Sequence, residues 1–481
     1  MMLSSLIAPQ KLNGPDVDIT SLTADSRAVQ AGSLFAALPG TLADGRDYIE
    51  SALDNGASAV LSLPGLADIS VPYIASAEPR QLYAQIAARL RAGQPETIVA
   101  MTGTNGKSST IEFLRQIWDY AGKNAACFGT LGITTNRGVE PLKHTTPDAV
   151  ALHQTLQGLA KAGVTHAGME ASSHGLQQYR LDGVKLAAVG FTNLTQDHFD
   201  YHDTMEDYFT AKSRLFTELS PKGTPAVINV DGEYGLRMAD LAAASGLDVM
   251  RVGWSGDDIR IAELTPRASS QNLELVWDGK RIKVALPLAG EFQVLNAVSA
   301  LGLAVKTGVA KDVALEALTH LVGVAGRMEL AGRTDAGAPV FVDFAHTPDG
   351  LEKLLRGVRP HTMGRIIVVF GCGGDRDPDK RSKMGKIAAK LADLAIVTDD
   401  NPRTEVPGDI RAAVLVGCPE AQEIGDRAEA IKHGISLLKH DDCLVIAGKG
   451  HEQGQIVGEK IIPFSDVAVV KGLLHPKGKS S

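Results

Sequence analysis

Cysteine is scarce. Cys127, Cys372, Cys418 and Cys443 are the only four in 481 residues and none forms a C-x-x-C pair, which excludes a disulfide scaffold and offers no zinc spacing. Reduced, buried thiols are expected. Aromatic residues make up 5% of the chain. No run of 18 apolar residues occurs, so no segment reads as a membrane span. The opening residues, Met1 to Lys11, lack a basic segment and carry too short an apolar run for a signal peptide, so a cytoplasmic location is expected. Basic residues do not predominate: 48 Lys and Arg stand against 56 Asp and Glu, a net charge of -8. That balance argues against a general nucleic-acid or membrane-surface binder and leaves local phosphate pockets open. A small-molecule partner is expected.

What is present fits an α/β chain of several domains. The length suggests about three domains at roughly 150 residues each. Hydrophobic residues make up 44% and glycines number 50, a composition suited to many strand-to-helix turns. One stretch organises the rest, Thr97 to Thr110. A β-branched apolar run (Ile98, Val99) breaks into a glycine-bounded loop with one lysine, and a helical pattern (Ile111, Leu114, Ile117, Trp118) follows. Gly103 and Gly106 allow the turn that points N–H groups inward. Lys107 adds a point charge for β- and γ-phosphates, and the Ser108 hydroxyl can ligate Mg2+. The general phosphate-loop pattern would place glycine at position 101, where this chain has Met101.

Residues 1–95 alternate short strands and helices: Ser33 to Leu38 and Ala59 to Leu61 read as strands, Tyr48 to Asn55 as a helix, and Leu82, Ile86 and Leu90 share a helix face. Gly93-Gln94-Pro95 reads as a linker. From 96 to 332 strands and helices alternate again, with apolar runs Thr165 to Met169, Ala187 to Phe191 and Ala226 to Val230, then a weaker period over 257–288 that predicts an antiparallel excursion. Residues 333–481 form a fresh series, with strands at Pro339 to Asp343, Arg365 to Gly371, Leu394 to Thr398 and Cys443 to Gly448, expected to build a further parallel sheet. Ligand sites in such sheets lie at the carboxyl ends of strands. Glu170 and Asn193 sit at two such ends, and Ser108 with Glu170 could supply hard oxygen ligands to Mg2+.

An ordered set of segments resembles the Mur ligase family across all three inferred domains. They are Gly103-Thr104-Asn105-Gly106-Lys107-Ser108-Ser109, Met169-Glu-Ala-Ser-Ser-His-Gly-Leu, Asn193-Leu-Thr-Gln-Asp-His-Phe-Asp-Tyr-His, Gly326-Arg-Met-Glu, Asp343-Phe-Ala-His-Thr-Pro-Asp, Gly373-Gly-Asp-Arg-Asp, Asp400-Asn-Pro-Arg and Gly448-Lys-Gly-His-Glu. The family's loop also begins Thr-Gly-Thr-Asn-Gly-Lys, which accounts for Met101. The resemblance implies a three-domain α/β fold: an N-terminal UDP-substrate-binding domain (1–95), a central P-loop ATP-binding domain with a parallel sheet (96–332) and a C-terminal Rossmann-like amino-acid-binding domain (333–481). It also implies a monomer.

The same resemblance implies roles residue by residue. Lys107, Glu170, His198 and Lys212 would be catalytic, and Ser108, Glu170, His198 and Lys212 would hold magnesium, Lys212 as a carbamylated N6-carboxylysine. On residue type alone, Lys212 in its helical stretch is a solvated surface charge. ATP would meet the loop residues 103–109 together with Asn296, Arg327, Asp343 and His346. The UDP-muramoyl dipeptide acceptor would meet Ser26, Thr41, Leu42 and Ala43 at the uridine end, and His144, Thr145, Thr146, Ser172, Gln178 and Arg180 along the peptide. His144 departs from the asparagine usual in the family. Diaminopimelate would meet Arg376, Asp400, Asn401, Pro402, Arg403, Gly448 and Glu452. Its distal end carries a carboxylate as well as an ammonium, and Arg403 can offer a planar two-donor grip to the carboxylate while Glu452 faces the ammonium.

The implied reaction is ATP-dependent amide ligation through an acyl phosphate, adding meso-diaminopimelate to the D-glutamate of UDP-N-acetylmuramoyl-L-alanyl-D-glutamate for peptidoglycan. The alternatives are a lysine-adding or folylpolyglutamate-type ligase of the same superfamily, or a P-loop ATPase that drives a conformational switch.

Overall fold

A computed structural model describes residues 1–12, 14–40, 43–66, 69–142, 144–195 and 204–475. By internal packing the chain divides into two compact units, Met1–Asp257 with Ser299–Lys311, and Asp258–Val298 with Asp312–Ser481.

The first unit holds one parallel sheet and one that is mainly parallel. The smaller runs in chain order through Ser21–Thr23, Ser33–Ala36, Ala57–Ser62 and Tyr73–Ala75. Strand alternation divides its apolar residues between two faces. Leu34, Ala36 and Leu61 pack with Leu3, Leu6, Leu82 and Ile86 from the helices Leu3–Ile7 and Pro79–Leu90. Phe35 and Val60 pack with Ala52 of the helix Ile49–Asp54 on the other face. The larger sheet has the order Asp248–Gly253, Pro225–Asn229, Ala188–Phe191, Thr97–Thr102, His166–Glu170 and Ala125–Gly129, all parallel, followed by the antiparallel strands Gly132–Thr135 and Gly138–Glu140. Chain direction across this sheet reverses around Thr97–Thr102. The helix after that strand leads to one side, and the later strand Ala188–Phe191 pairs on the other. The phosphate loop therefore lies at the switch point, where the carboxyl ends of strands diverge into a crevice.

In the second unit, Ile259–Pro266, Gln271–Trp277 and Lys280–Leu286 form the expected antiparallel excursion. A six-stranded sheet follows, ordered Glu329–Arg333, Pro339–Asp343, Cys443–Ala447, Ile366–Phe370, Leu394–Val397 and Gln422–Glu423. It is parallel except for its first strand, which pairs antiparallel. Ile366, Val368 and Phe370 pack on one face and Ile367 and Val369 on the other. Both faces are covered, so the strand reads as an unbroken apolar run rather than an alternating one. A hairpin, Gly454–Val457 with Lys460–Pro463, completes the unit.

All four cysteines are buried free thiols. Burial pushes every one up: Cys127 well above the ordinary thiol range, Cys372 to about 11, Cys443 to about 12, and Cys418 in the same direction. No helix among the described residues is long and apolar enough to cross a membrane.

Candidate active site

The strand Thr97–Thr102 hands over to Gly103, whose φ is 142°. A side chain there would bring its Cβ to 1.9 Å from Thr192 Oγ1, so the close approach of the two loops requires glycine. Gly106, at φ 89°, starts the helix Lys107–Tyr120, whose N-terminal N–H groups and dipole favour an anion. Lys107 Nζ donates to the carbonyls of Gly103 (2.9 Å) and Thr104 (2.8 Å) and so lies across the loop. Asn105 exchanges two hydrogen bonds with the side chain of Asn193, the residue at the neighbouring strand end. Ser108 and Ser109 are buried in the first helical turn.

Ser108 Oγ donates to Glu170 Oε1 at 2.8 Å. Glu170 is 2% exposed and also accepts from Thr130 N at 2.8 Å and Thr130 Oγ1 at 3.2 Å. These three donors are neutral, so none balances the buried carboxylate's charge. Buried hard oxygens such as these suit a divalent cation such as Mg2+. Lys212 is buried, 1% exposed, contrary to what its residue type suggests. Its Nζ donates to Gly103 O at 2.8 Å and lies 4.3 Å from the Tyr208 ring centroid. His198 lies outside the described residues, as do Thr41 and Leu42.

Of the expected acceptor residues, Gln178 and Arg180 line a cleft of about 420 Å3 in the first unit. Asp25, Leu38, Arg80 and Tyr83 from the N-terminal part line the same cleft. Ser26 is buried next to Asp25, whose side chain caps the short helix Ser26–Ala28. Arg180 donates to Thr146 O at 2.6 Å and, through two nitrogens, to Gln178 Oε1. Thr146 Oγ1 donates to Glu170 O and accepts from Ser172 N, while Thr145 Oγ1 lies 3.1 Å from Thr130 Oγ1. Thr145, Thr146, Ser172, Gln178 and Arg180 thus form one network continuous with Glu170. Ala43 and His144 are exposed and stand apart from these bonds.

Asn296, Arg327, Asp343 and His346 belong to the second unit and converge there. Asn296 Nδ2 donates to Gln293 Oε1, and Gln293 Nε2 donates to Arg327 O. The Arg327 guanidinium lies 4.8 Å from the Phe344 ring, which is tilted against His346. Asp343 accepts from Met328 N at 2.6 Å and Ala345 N at 2.8 Å. Loss of solvent pushes its carboxyl up, and Arg327 and the two backbone donors oppose that.

Of the diaminopimelate set, Asp400 to Arg403, Gly448 and Glu452 meet. Arg403 has φ 52°, its N–H donates to Ile456 O, its carbonyl accepts from Gly458 N, and its Nη1 donates to Gly374 O at 2.7 Å. The hairpin therefore clamps the residue after Pro402 in a conformation that a non-glycine residue rarely adopts. Asn401 donates to Glu452 Oε2 at 2.9 Å and accepts from Lys449 Nζ at 2.9 Å. Gly448, at φ 120°, leaves room for Asp400, since a Cβ there would sit 2.5 Å from Asp400 Oδ2. Arg376 is exposed, with Nη1 on Asp375 O.

Three participants carried no signal strong enough to be singled out. Thr130 and Gln293 sit in no motif. Lys449 stands inside the Gly448–Glu452 segment but reads as an ordinary surface lysine, whereas it is fully buried and paired with Glu452 at 3.1 Å.

Comparison with known proteins covers most of the chain. Residues 18–90 match the model described as Mur ligase family, catalytic domain; residues 101–304 match the Mur ligase middle domain; and residues 326–450 match the Mur ligase, glutamate ligase domain. The UDP-N-acetylmuramoyl-L-alanyl-D-glutamate--2,6-diaminopimelate ligase of Chelativorans sp. (strain BNC1) is 52% identical over 463 residues, 96% of each chain. The enzyme of the same name from Mesorhizobium japonicum is 49% identical over 477 residues, 99% of each chain. A solved structure of a ligase of that name is similar at a TM-score of 0.76 and 34% identity, with both chains covered in full.

Proposed function

This chain belongs to the Mur ligase family, and from that premise we propose the reaction it performs and the residues that perform it. It is an ATP-dependent ligase that joins meso-diaminopimelate to the γ-carboxylate of the D-glutamate in UDP-N-acetylmuramoyl-L-alanyl-D-glutamate, a step of peptidoglycan precursor synthesis. It works as a cytoplasmic monomer, in three domains spanning 1–95, 96–332 and 333–481.

The acceptor carboxylate attacks the γ-phosphorus of ATP, the bond to ADP breaks, and an acyl phosphate forms. Lys107 and the helix N-terminus offset the charge of the transferred group, so catalysis here is positioning and electrostatics. Ser108, Glu170 and a carbamylated Lys212 would hold Mg2+, which when bound neutralises phosphate charge. Gln178 and Arg180 orient the muramoyl peptide. The diaminopimelate amine then attacks the acyl carbon and phosphate leaves from the tetrahedral intermediate.

The observation that carries the choice of amino acid is the framework of Asp400 to Arg403. It offers a guanidinium at Arg403 and, through Asn401, a fixed carboxylate at Glu452. Arg403 suits the distal carboxylate of diaminopimelate and Glu452, which Lys449 and Asn401 hold in place, suits its ammonium; lysine would leave Arg403 without a partner carboxylate. Phosphate release from ATP with the UDP-muramoyl dipeptide is the test, run with meso-diaminopimelate, lysine or no amino acid and with product mass recorded. Release and a tripeptide mass with diaminopimelate alone are expected. Equal release in all three, with no new amide, would replace the ligase by a switch ATPase.

A further inference from the structure

Asp182 is a buried carboxylate, 3% exposed, on which three elements converge. Gln81 Nε2, from the helix Pro79–Leu90, donates to Oδ1 at 3.0 Å. Arg214, from the helix Met205–Thr217, donates Nη2 to Oδ1 at 2.8 Å and Nη1 to Oδ2 at 2.9 Å. Asp182 itself ends the turn that begins at Gln178, with its N–H on Tyr179 O.

Each of these elements also serves the site. Arg80 and Tyr83, on either side of Gln81 in the sequence, line the cleft, and so do Gln178 and Arg180. Lys212 and Tyr208, on the same helix as Arg214, reach Gly103 O and Thr104 Oγ1 of the phosphate loop. Between Gln178 and Arg180, Tyr179 adopts φ 58°, and its ring lies 4.1 Å from the Arg214 guanidinium, which also donates to Leu176 O. A bulky residue in that backbone region persists only where its surroundings hold it.

We propose that Asp182 and Arg214 form a positioning pair that sets the acceptor cleft in register with the phosphate loop, so that the acceptor carboxylate is aimed at the γ-phosphate. The proposal rests on the reaction given above. A two-pronged guanidinium–carboxylate contact fixes both distance and plane. It is buried, so its geometry is stiff. Loss of that geometry displaces Gln178 and Arg180 relative to Lys212, while the side-chain hydrogen bonds given above for the pair go to Gln81, Leu176 and each other rather than to residues placed at ATP or diaminopimelate.

The test uses the full chain with Asp182→Asn and, separately, Arg214→Lys, which keeps the cation and loses the fork. For either variant we expect kcat to fall about 100-fold and the acceptor KM to rise, with the KM values for ATP and diaminopimelate within about twofold of wild type. Circular dichroism and active-site titration measure the folded, competent fraction. A fall in kcat that only tracks that fraction, with acceptor KM unchanged, would overturn the pair as a positioning device and leave it structural. If Asp182→Asn does not fold, Arg214→Lys alone decides between the same two outcomes. A wild-type chain that forms no tripeptide would overturn the reaction, whereas a tripeptide-forming wild type beside variants of normal acceptor KM would overturn the pair alone.

Discussion

Lys107 and Lys212 both place their ammonium groups on the carbonyl of Gly103. Two cations on one oxygen repel each other, and Lys212 is the buried one. Addition of CO2 to its neutral amine would turn that cation into an anion while keeping one N–H for Gly103. In 13C-bicarbonate we therefore expect a carbamate carbon signal from the wild-type chain that Lys212→Ala lacks, with kcat of that variant down by about 100- to 1,000-fold and partly restored by a short carboxylate such as acetate. A carbamate signal that survives Lys212→Ala would remove the modification from this residue. At this scale the sequence is legible where chemistry is local: Gly103, Gly106, Lys107 and Ser108 stand within six positions, each with a reason for its type. It is silent where partners come from afar. Thr130 reaches Glu170 across 40 positions and Gln293 reaches Arg327 across 34, and neither contact leaves a pattern in the chain. Lys212 misleads, because the helix that carries it buries the side facing the phosphate loop.

Elements in this fold are held by polar bonds inside apolar surroundings as much as by their cores. The turn before the helix Glu291–Lys306 illustrates it. His361 is buried, accepts from Gly290 N at 2.8 Å through Nε2 and lies 2.5 Å from Arg267 O through Nδ1, so the ring serves as acceptor at one nitrogen and donor at the other. Burial pushes the imidazole below its ordinary range, and the Arg267 carbonyl opposes this only in part. The folded ring thus takes a proton less readily than the unfolded one. Its contribution to stability is complete above the unfolded value of about 6.5 and is lost as pH falls through the lower folded value. His361→Gln keeps an acceptor for Gly290 and a donor for Arg267 but does not titrate. Urea denaturation between pH 7.5 and pH 5 should therefore show a shallower loss of stability for the variant; equal slopes would assign the acid sensitivity to other groups. Element type was readable from periodicity for the long strands and helices. The strand Gly138–Glu140 was not, since all three of its residues are exposed and carry no alternation. Nor was the antiparallel strand Glu329–Arg333, whose direction depends on its partner Pro339–Asp343 rather than on its own composition.

At the scale of the whole molecule, each of the two units has its own buried core. A chain built so is not expected to unfold in one step. Trp118 and Trp254 belong to the first unit and Trp277 to the second, so single-tryptophan chains report them separately. The acceptor nucleotide at about a hundred times its Kd should stabilise the first transition by about 2.7 kcal/mol, and diaminopimelate at the same multiple should act on the second. Equal shifts of both signals with either ligand would show that the units melt together. The α/β class and the parallel sheets followed from repeated apolar runs ending in glycine or polar turns. The packing of 1–95 with the residues after 96 into one unit did not, because Gly93-Gln94-Pro95 resembles a free linker while Gln94 in fact bonds both the N–H and the carbonyl of Lys185. The four sequestered thiols give the experimenter an opening. With every native sulfhydryl buried and hard to ionise, the chain is a silent background for maleimide chemistry, and one cysteine placed at exposed Lys460 on the hairpin would be the sole labelled point. A fluorophore there would sit on the element that clamps Arg403 and would signal the arrival of the amino acid in real time.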